Sequence, residues 1–204
     1  PDMEIVVMDP HRPGDELSYY PGEANLRRAA CFIINKMDTA REEGVKTLLE
    51  NIKSVNPDAK ILYTASRITL EEEREIKGRR VLVVEDGPTL THGGMSYGAG
   101  VIAAKRHGAE LVKPGPYARG YIKDVFDLYP GLTELIPAMG YSKAQIKDLE
   151  DTINSTPCDL VLIATPVDLG KIIKINRPTV RVRYEVEDIG KRGIKEMVEE
   201  FIKL

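Results

Sequence analysis

Residues 79–108, RRVLVVEDGPTLTHGGMSYGAGVIAAKRHG, limit the fold more than any other part of the chain. Within them, 81–84 form a continuous apolar run of strand length, 85–94 an acidic and glycine-rich turn, and 95–106 a helix of mostly small residues. A buried strand, a glycine loop and a helix in series are the repeating unit of a parallel α/β sheet. Such a sheet presents its ligand-binding loops at the carboxyl ends of its strands, so this turn is a first candidate for holding an anion or a nucleotide.

The same alternation runs through the rest of the chain. Residues 3–8 predict a strand ending at Asp9, 25–30 a short helix, 31–35 a second strand and 39–55 a long amphipathic helix with Thr39 as its N-cap. Residues 60–66 predict a strand, 142–154 a helix capped by Ser142, 158–165 the most apolar strand, 179–186 an alternating edge strand and 194–202 a closing helix. Residues 9–23, DPHRPGDELSYYPGE, are too rich in proline and glycine for regular structure and predict a long functional loop. The predicted fold is therefore α/β, a mostly parallel sheet flanked by helices. Residues 1–77 read as the C-terminal part of a P-loop-NTPase-like domain and 78–204 as a Rossmann-like segment, either separate from the first or continuous with it.

Composition narrows the function classes. A net charge of -3 over 204 residues, with both signs interspersed, argues against a general binder of nucleic acid or anionic membranes. No apolar run approaches the roughly 18 residues of a membrane span, and the default compartment is the cytoplasm. Cys31 and Cys158 head apolar strands and read as buried thiols. Abundant Glu and Lys with a single glutamine, Gln145, resembles a thermophile composition. The chain opens at Pro1 and enters a strand almost at once, which reads as a fragment of a longer protein.

Candidate ligand residues fall at strand ends. Asn35-Lys36-Met37-Asp38 has the spacing of a guanine-recognition motif. The Asp38 carboxylate can accept from a guanine ring N–H and amino group, Asn35 can brace the loop or reach the base, and the Lys36 stem can cover the ring. Ala65 and Ser66 end the next strand and can offer backbone N–H groups to the base. The competing reading has Asn35 and Asp38 forming only a turn. Asp9 and Asp86 are candidate magnesium ligands, and Thr89, Thr91, His92, Gly93 and Gly94 a candidate anion cradle at a helix start. Lys113, Arg119 and Lys123 lie in a basic stretch suited to phosphate, with Arg119 the best fork. No Gly-x-x-x-x-Gly-Lys-Ser/Thr phosphate loop occurs in the chain.

The strings DPHRPGDELSYYPGEANLRRAA, INKMD, VVEDGPTLTHGGMSYGAG, KPGPYARGYI and IPAMGYS, in this order, resemble the C-terminal portion of the archaeal cyclic 2,3-diphosphoglycerate synthetase family, often labelled predicted GTPases. The resemblance covers nearly the whole chain. It implies a ligase that uses a nucleoside triphosphate and Mg²⁺ to close an intramolecular phosphoanhydride in 2,3-diphosphoglycerate, with a P-loop upstream of the matched region. This chain without that loop is then expected to be inactive alone. On that reading His11, Arg12, His92 and Arg119 serve catalysis, Asn35, Lys36, Asp38, Ala65 and Ser66 hold the nucleotide, and Thr89, Thr91, Gly93 and Gly94 hold substrate. Asp9 and Asp86 then hold the metal. The co-substrate is ATP or GTP, since the family activity is described with ATP while Asp38 favours guanine. Expected partners are small and anionic, with neither nucleic acid nor membrane, and a homo-oligomer is allowed. A regulatory or metal-chaperone-like GTPase and a non-catalytic nucleotide- or anion-binding fragment are the alternatives.

Overall fold

The computed structural model describes residues 2–71, 76–91, 94–140, 142–190 and 192–203. In chain order the elements are β1 (Ile5–Met8), α1 (Asp15–Ser18), α2 (Gly22–Arg28), β2 (Cys31–Ile34), α3 (Glu42–Val55), β3 (Lys60–Leu70), β4 (Arg80–Asp86), α4 (Gly87–Thr91), α5 (Ala99–Arg106), β5 (Glu110–Leu111), α6 (Gly120–Leu128), β6 (Ile136–Ala138), α7 (Lys143–Ser155), β7 (Leu160–Ala164), β8 (Thr179–Ile189) and α8 (Ile194–Ile202). The fold is α/β with parallel strand pairing, as the apolar runs and intervening helical periodicity predict. The chain forms two compact units, one of residues 1–67 with 185–204 and one of residues 68–184.

In the first unit β2 lies between β1 and β3, all parallel, with Met8 opposite Ile34 and Ile34 opposite Tyr63. All four residues of β2 are buried, the mark of a strand covered on both faces. One face packs Phe32 and Ile34 against Leu26 of α2 and Leu48 and Ile52 of α3. The other packs Cys31 and Ile33 with Leu62 against Met197 of α8. The two-sided core fixes the register, because a one-residue slip would exchange these two sets of side chains.

In the second unit β4 is central. Val81, Leu82, Val83 and Val84 are all 0% exposed, and burying each such side chain stabilises the fold by about 1.5–3 kcal/mol. One edge of β4 pairs with β7, the other first with β5 at Arg80 and Val81 and then with β6 from Val84 to Asp86. β7 pairs in turn with β8. Helix α7 opens on a capping box, in which Gln145 N–H donates to Ser142 Oγ and Ser142 N–H donates to Gln145 Oε1. Ser142→Ala is expected to cost about 1 kcal/mol in urea unfolding; an unchanged midpoint would show that the box contributes nothing to stability.

Several local expectations change. The 9–23 segment is not all loop, since α1 and the start of α2 lie in it. Asp15 and Glu16 open α1, where the helix dipole favours carboxylates, and this outweighs the turn signals around them. Helix α3 starts at Glu42 with Arg41 as N-cap, so Thr39 is not its cap. Glu85 belongs to β4 rather than to the following turn, and α5 starts at Ala99 rather than at residue 95. Helix α6 occupies part of a stretch whose prolines and glycines had hidden it. Near Arg181, β8 is not an open edge, because Glu71 N–H donates to its carbonyl at 2.9 Å and Ile68 and Leu70 pack on the same core as Val180 and Val182.

Candidate functional site

In the first unit, the carboxyl ends of parallel β1 and β2 bring Asp9, His11, Arg12, Asn35, Lys36 and Asp38 together. Asp9 follows β1, and its partly buried carboxylate is the hub. His11 N–H donates to Oδ1 at 3.0 Å, Lys36 Nζ to Oδ2 at 2.6 Å and Arg12 Nη2 to Oδ2 at 3.5 Å. Burial pushes the Asp9 carboxyl up, but the Lys36 hydrogen bond, the His11 N–H and the charges of Lys36 and Arg12 outweigh it. The acid is held below its ordinary range. Two cations thus share the Asp9 carboxylate.

The loop after β2 is built to hold Lys36. Its backbone takes φ +59, a left-handed conformation that costs a residue with a Cβ about 1–2 kcal/mol. Three ties offset that cost. Met37 N–H donates to Thr64 O at 3.0 Å, Thr64 Oγ1 donates to Asn35 Oδ1 at 2.9 Å and Thr39 N–H donates to Lys36 O at 3.1 Å. Ser66 N–H donates to Asp38 Oδ1 at 3.2 Å, linking the loop to β3 beside Ala65. Asn35 and Asp38 therefore do bracing work within the protein, and Lys36 is turned to Asp9. Strain concentrated on one lysine beside a carboxylate is a pattern found at ligand-binding loops.

Two further contacts complete the cluster. His11 Nε2 and Thr39 Oγ1 are 3.0 Å apart, so Thr39 orients the imidazole instead of capping a helix. Arg12 Nε is buried with no hydrogen-bond partner among the described residues. A buried unmet donor on a cation is the kind of group an anionic oxygen satisfies. Among the described residues no group of three or more His, Cys, Asp or Glu side chains is placed to hold a metal ion.

In the second unit the residues predicted as a phosphate cradle have a different setting. Helix α5 already has a carboxyl group at its start, for Gly98 N–H and Val101 N–H donate to Glu85 Oε1 at 3.1 and 2.9 Å. Glu85 is 3% exposed. Burial raises its pKa to about 7, against the lowering effect of the Val101, Gly98 and Gly100 N–H groups, and the like charge of Asp86 adds to the rise. Close packing accounts for the small residues here: a Cβ on Gly100 would lie 2.6 Å from Val83 Cγ1 and 2.8 Å from Ala164 Cβ. That Glu85 accepts the first N–H groups of α5 is not visible in the sequence, although Gly98 and Gly100, which make room for its carboxyl, are its trace there.

Thr89 and Thr91 lie on the short helix α4, where Thr91 Oγ1 donates to Gly87 O at 3.0 Å. Gly94 has φ +63 and is exposed. His92 and Gly93 lie outside the described residues. Arg119 is the exposed N-cap of α6, tied by its N–H to Thr152 Oγ1 at 2.9 Å. Asp86 ends β4 opposite Ala138.

No helix among the described residues is long and apolar enough to cross a membrane, and no family model matches the chain. A curated relative corrects the function drawn from the sequence. Because its name concerns arginine, neither cyclic 2,3-diphosphoglycerate formation with its diphosphoglycerate substrate nor the GTPase alternatives stand, and nothing supports the thermophile reading of the composition. That relative is arginine synthetase ArcE of Thermococcus kodakarensis, to which the chain is 54% identical over all 204 residues while spanning 46% of the relative's length.

Proposed function

We propose that the chain is part of an arginine-forming synthetase that couples C–N bond formation to cleavage of a nucleoside triphosphate. The observation that carries this reading is the 54% identity to arginine synthetase ArcE, extended over every residue of the chain. In general terms such a ligase transfers a phosphoryl group to a carbonyl-type oxygen, and an amine nitrogen then displaces phosphate at that carbon. The protein's task is to neutralise phosphate oxygens and hold the reactants in line.

The Asp9 cluster suits the phosphate side of this chemistry. Arg12 Nε supplies an unmet buried donor and Lys36 a cation already fixed in place. Magnesium usually takes one or two carboxylates together with substrate phosphates, and ionised Asp9 supplies one, so the residues fit a metal carried in on ATP or GTP. When bound, the ion would polarise the transferred phosphoryl group. His11, positioned by Thr39, donates its backbone N–H to Asp9 and keeps that carboxylate oriented.

The test is arginine formation by the natural full-length protein with ATP or GTP and Mg²⁺, followed by amino-acid analysis. Triphosphate-dependent arginine is expected, and Lys36→Met should lower kcat/KM by about a hundredfold or more while the far-ultraviolet spectrum stays unchanged. Absence of arginine with both nucleotides would overturn the reading. Full activity in Lys36→Met would remove the lysine from it.

A further inference from the structure

The second unit has a cavity of about 200 Å³ at the carboxyl edge of its parallel sheet. It opens among the segments that follow β4, β6 and β7. Met139, Ile146 and Leu149 form one part of its wall and Val167, Leu169 and Ile172 another. Among the described residues the one ionisable group in the lining is Asp86, which ends β4. The crevice beyond the carboxyl ends of parallel strands is where open α/β sheets bind ligands.

Size and lining together select the ligand class. Pockets for drug-sized ligands and cofactors span about 300–1,000 Å³, so this cavity is too small for a nucleotide and suits a single amino acid. Among the described residues its lining has no basic side chain to attract phosphate. Its aliphatic walls match a run of methylene groups, and the Asp86 carboxylate offers acceptor oxygens to a cation. Arginine has both parts, and its planar guanidinium can meet a carboxylate through two parallel hydrogen bonds.

We propose that this cavity takes the amino-acid side of the reaction, with the aliphatic chain of arginine against Leu149 and Leu169 and its cationic end at Asp86. The proposal rests on the reading of the chain as part of an arginine-forming synthetase. It assigns Asp86 to an amino-acid cation rather than to magnesium. Leu149 and Leu169 are 4% and 3% exposed, so these walls are fixed by the core and present a preformed surface. Val167, at 44% exposed, stands on the rim and tolerates a larger side chain without disturbing that core.

Titration calorimetry of the chain with L-arginine tests the site, with L-norleucine as the uncharged aliphatic comparison. L-Arginine is expected to bind and norleucine to bind far more weakly. Asp86→Asn should weaken arginine about tenfold or more, the scale of one lost charge-assisted hydrogen bond, and Val167→Trp should weaken it by filling the rim, both with thermal midpoints near that of the unsubstituted chain. Arginine binding undiminished in both variants would overturn the cavity as the site while leaving the arginine reading intact. Equal binding of norleucine would overturn the role of Asp86. No binding by a chain whose full-length form makes arginine would also overturn the cavity alone, whereas failure to make arginine is the separate failure of the synthetase reading.

Discussion

Glu85→Gln is expected to raise the thermal midpoint of the chain at pH 8 and to remove a loss of stability that the unsubstituted chain shows as pH rises from about 4.5 to about 7. The sign follows from the direction of the shift. Glu85 has its pKa raised in the folded state, so between the unfolded value of 4.5 and about 7 the folded chain binds the extra proton. Raising the pH through that window therefore favours unfolding, by up to about 3 kcal/mol for a shift of this size. Glutamine keeps one carbonyl oxygen for the Gly98 and Val101 N–H groups but has no charge to bury. Asp9 acts in the opposite sense: its depressed pKa contributes stability above the unfolded value of 3.8 that is lost as pH falls below it. The two windows are separate, so a melt series from pH 3 to pH 8 resolves them. An identical profile in Glu85→Gln and the unsubstituted chain above pH 4.5 would place the proton elsewhere.

Gly44→Ala should lower stability by about 1–3 kcal/mol and disturb the Asp9 loop. Helix propensity alone argues for the reverse, because alanine exceeds glycine by about 1 kcal/mol inside a helix. Packing decides the sign here. Gly44 lies in the first turn of α3, and a Cβ there would overlap the backbone carbonyl oxygen of Pro10, which cannot swing away as a side-chain tip can. Pro10 sits between Asp9 and His11, so the displacement passes directly to the Asp9, Lys36 and Thr39 contacts. The expected readout is a lower thermal midpoint together with a larger fall in activity of the full-length protein than the stability loss explains. A raised midpoint would mean that α3 and the 9–11 segment do not meet as described.

Much of the architecture was legible because each element carries its own periodic signal. Residues 31–34 of β2, 81–84 of β4 and 160–164 of β7 are apolar at every position, the pattern of two-sided burial in a parallel sheet. Ser142 was legible as the N-cap of α7, and the structure adds Gln145 to complete a capping box. The misses share a cause. In residues 9–23, and in 108–142 beyond its short opening strand, proline and glycine suggested irregular structure, yet short helices form where tertiary contacts select them. Arg119 N–H and Tyr121 N–H, for example, donate to Thr152 Oγ1 and Asp148 Oδ2 of α7 at the start of α6.

The candidate site was legible as a set of positions and not as a set of roles. Strand-end spacing by itself determined that Asp9, Asn35, Lys36 and Asp38 fall on one edge of a parallel sheet, because parallel strands bring successive carboxyl ends together. Their partners come from the folded packing: Lys36 reaches 2.6 Å to Asp9, Asp38 accepts from Ser66 and Asn35 from Thr64. Likewise the sequence determined a carboxylate and a glycine helix around residues 85–100, while the fold decided that Glu85 itself occupies the start of α5. The physical reason is the same in both places. Local sequence sets the backbone path through periodicity and turn chemistry, but a long polar side chain chooses its partner from groups that only the folded chain brings within about 3 Å.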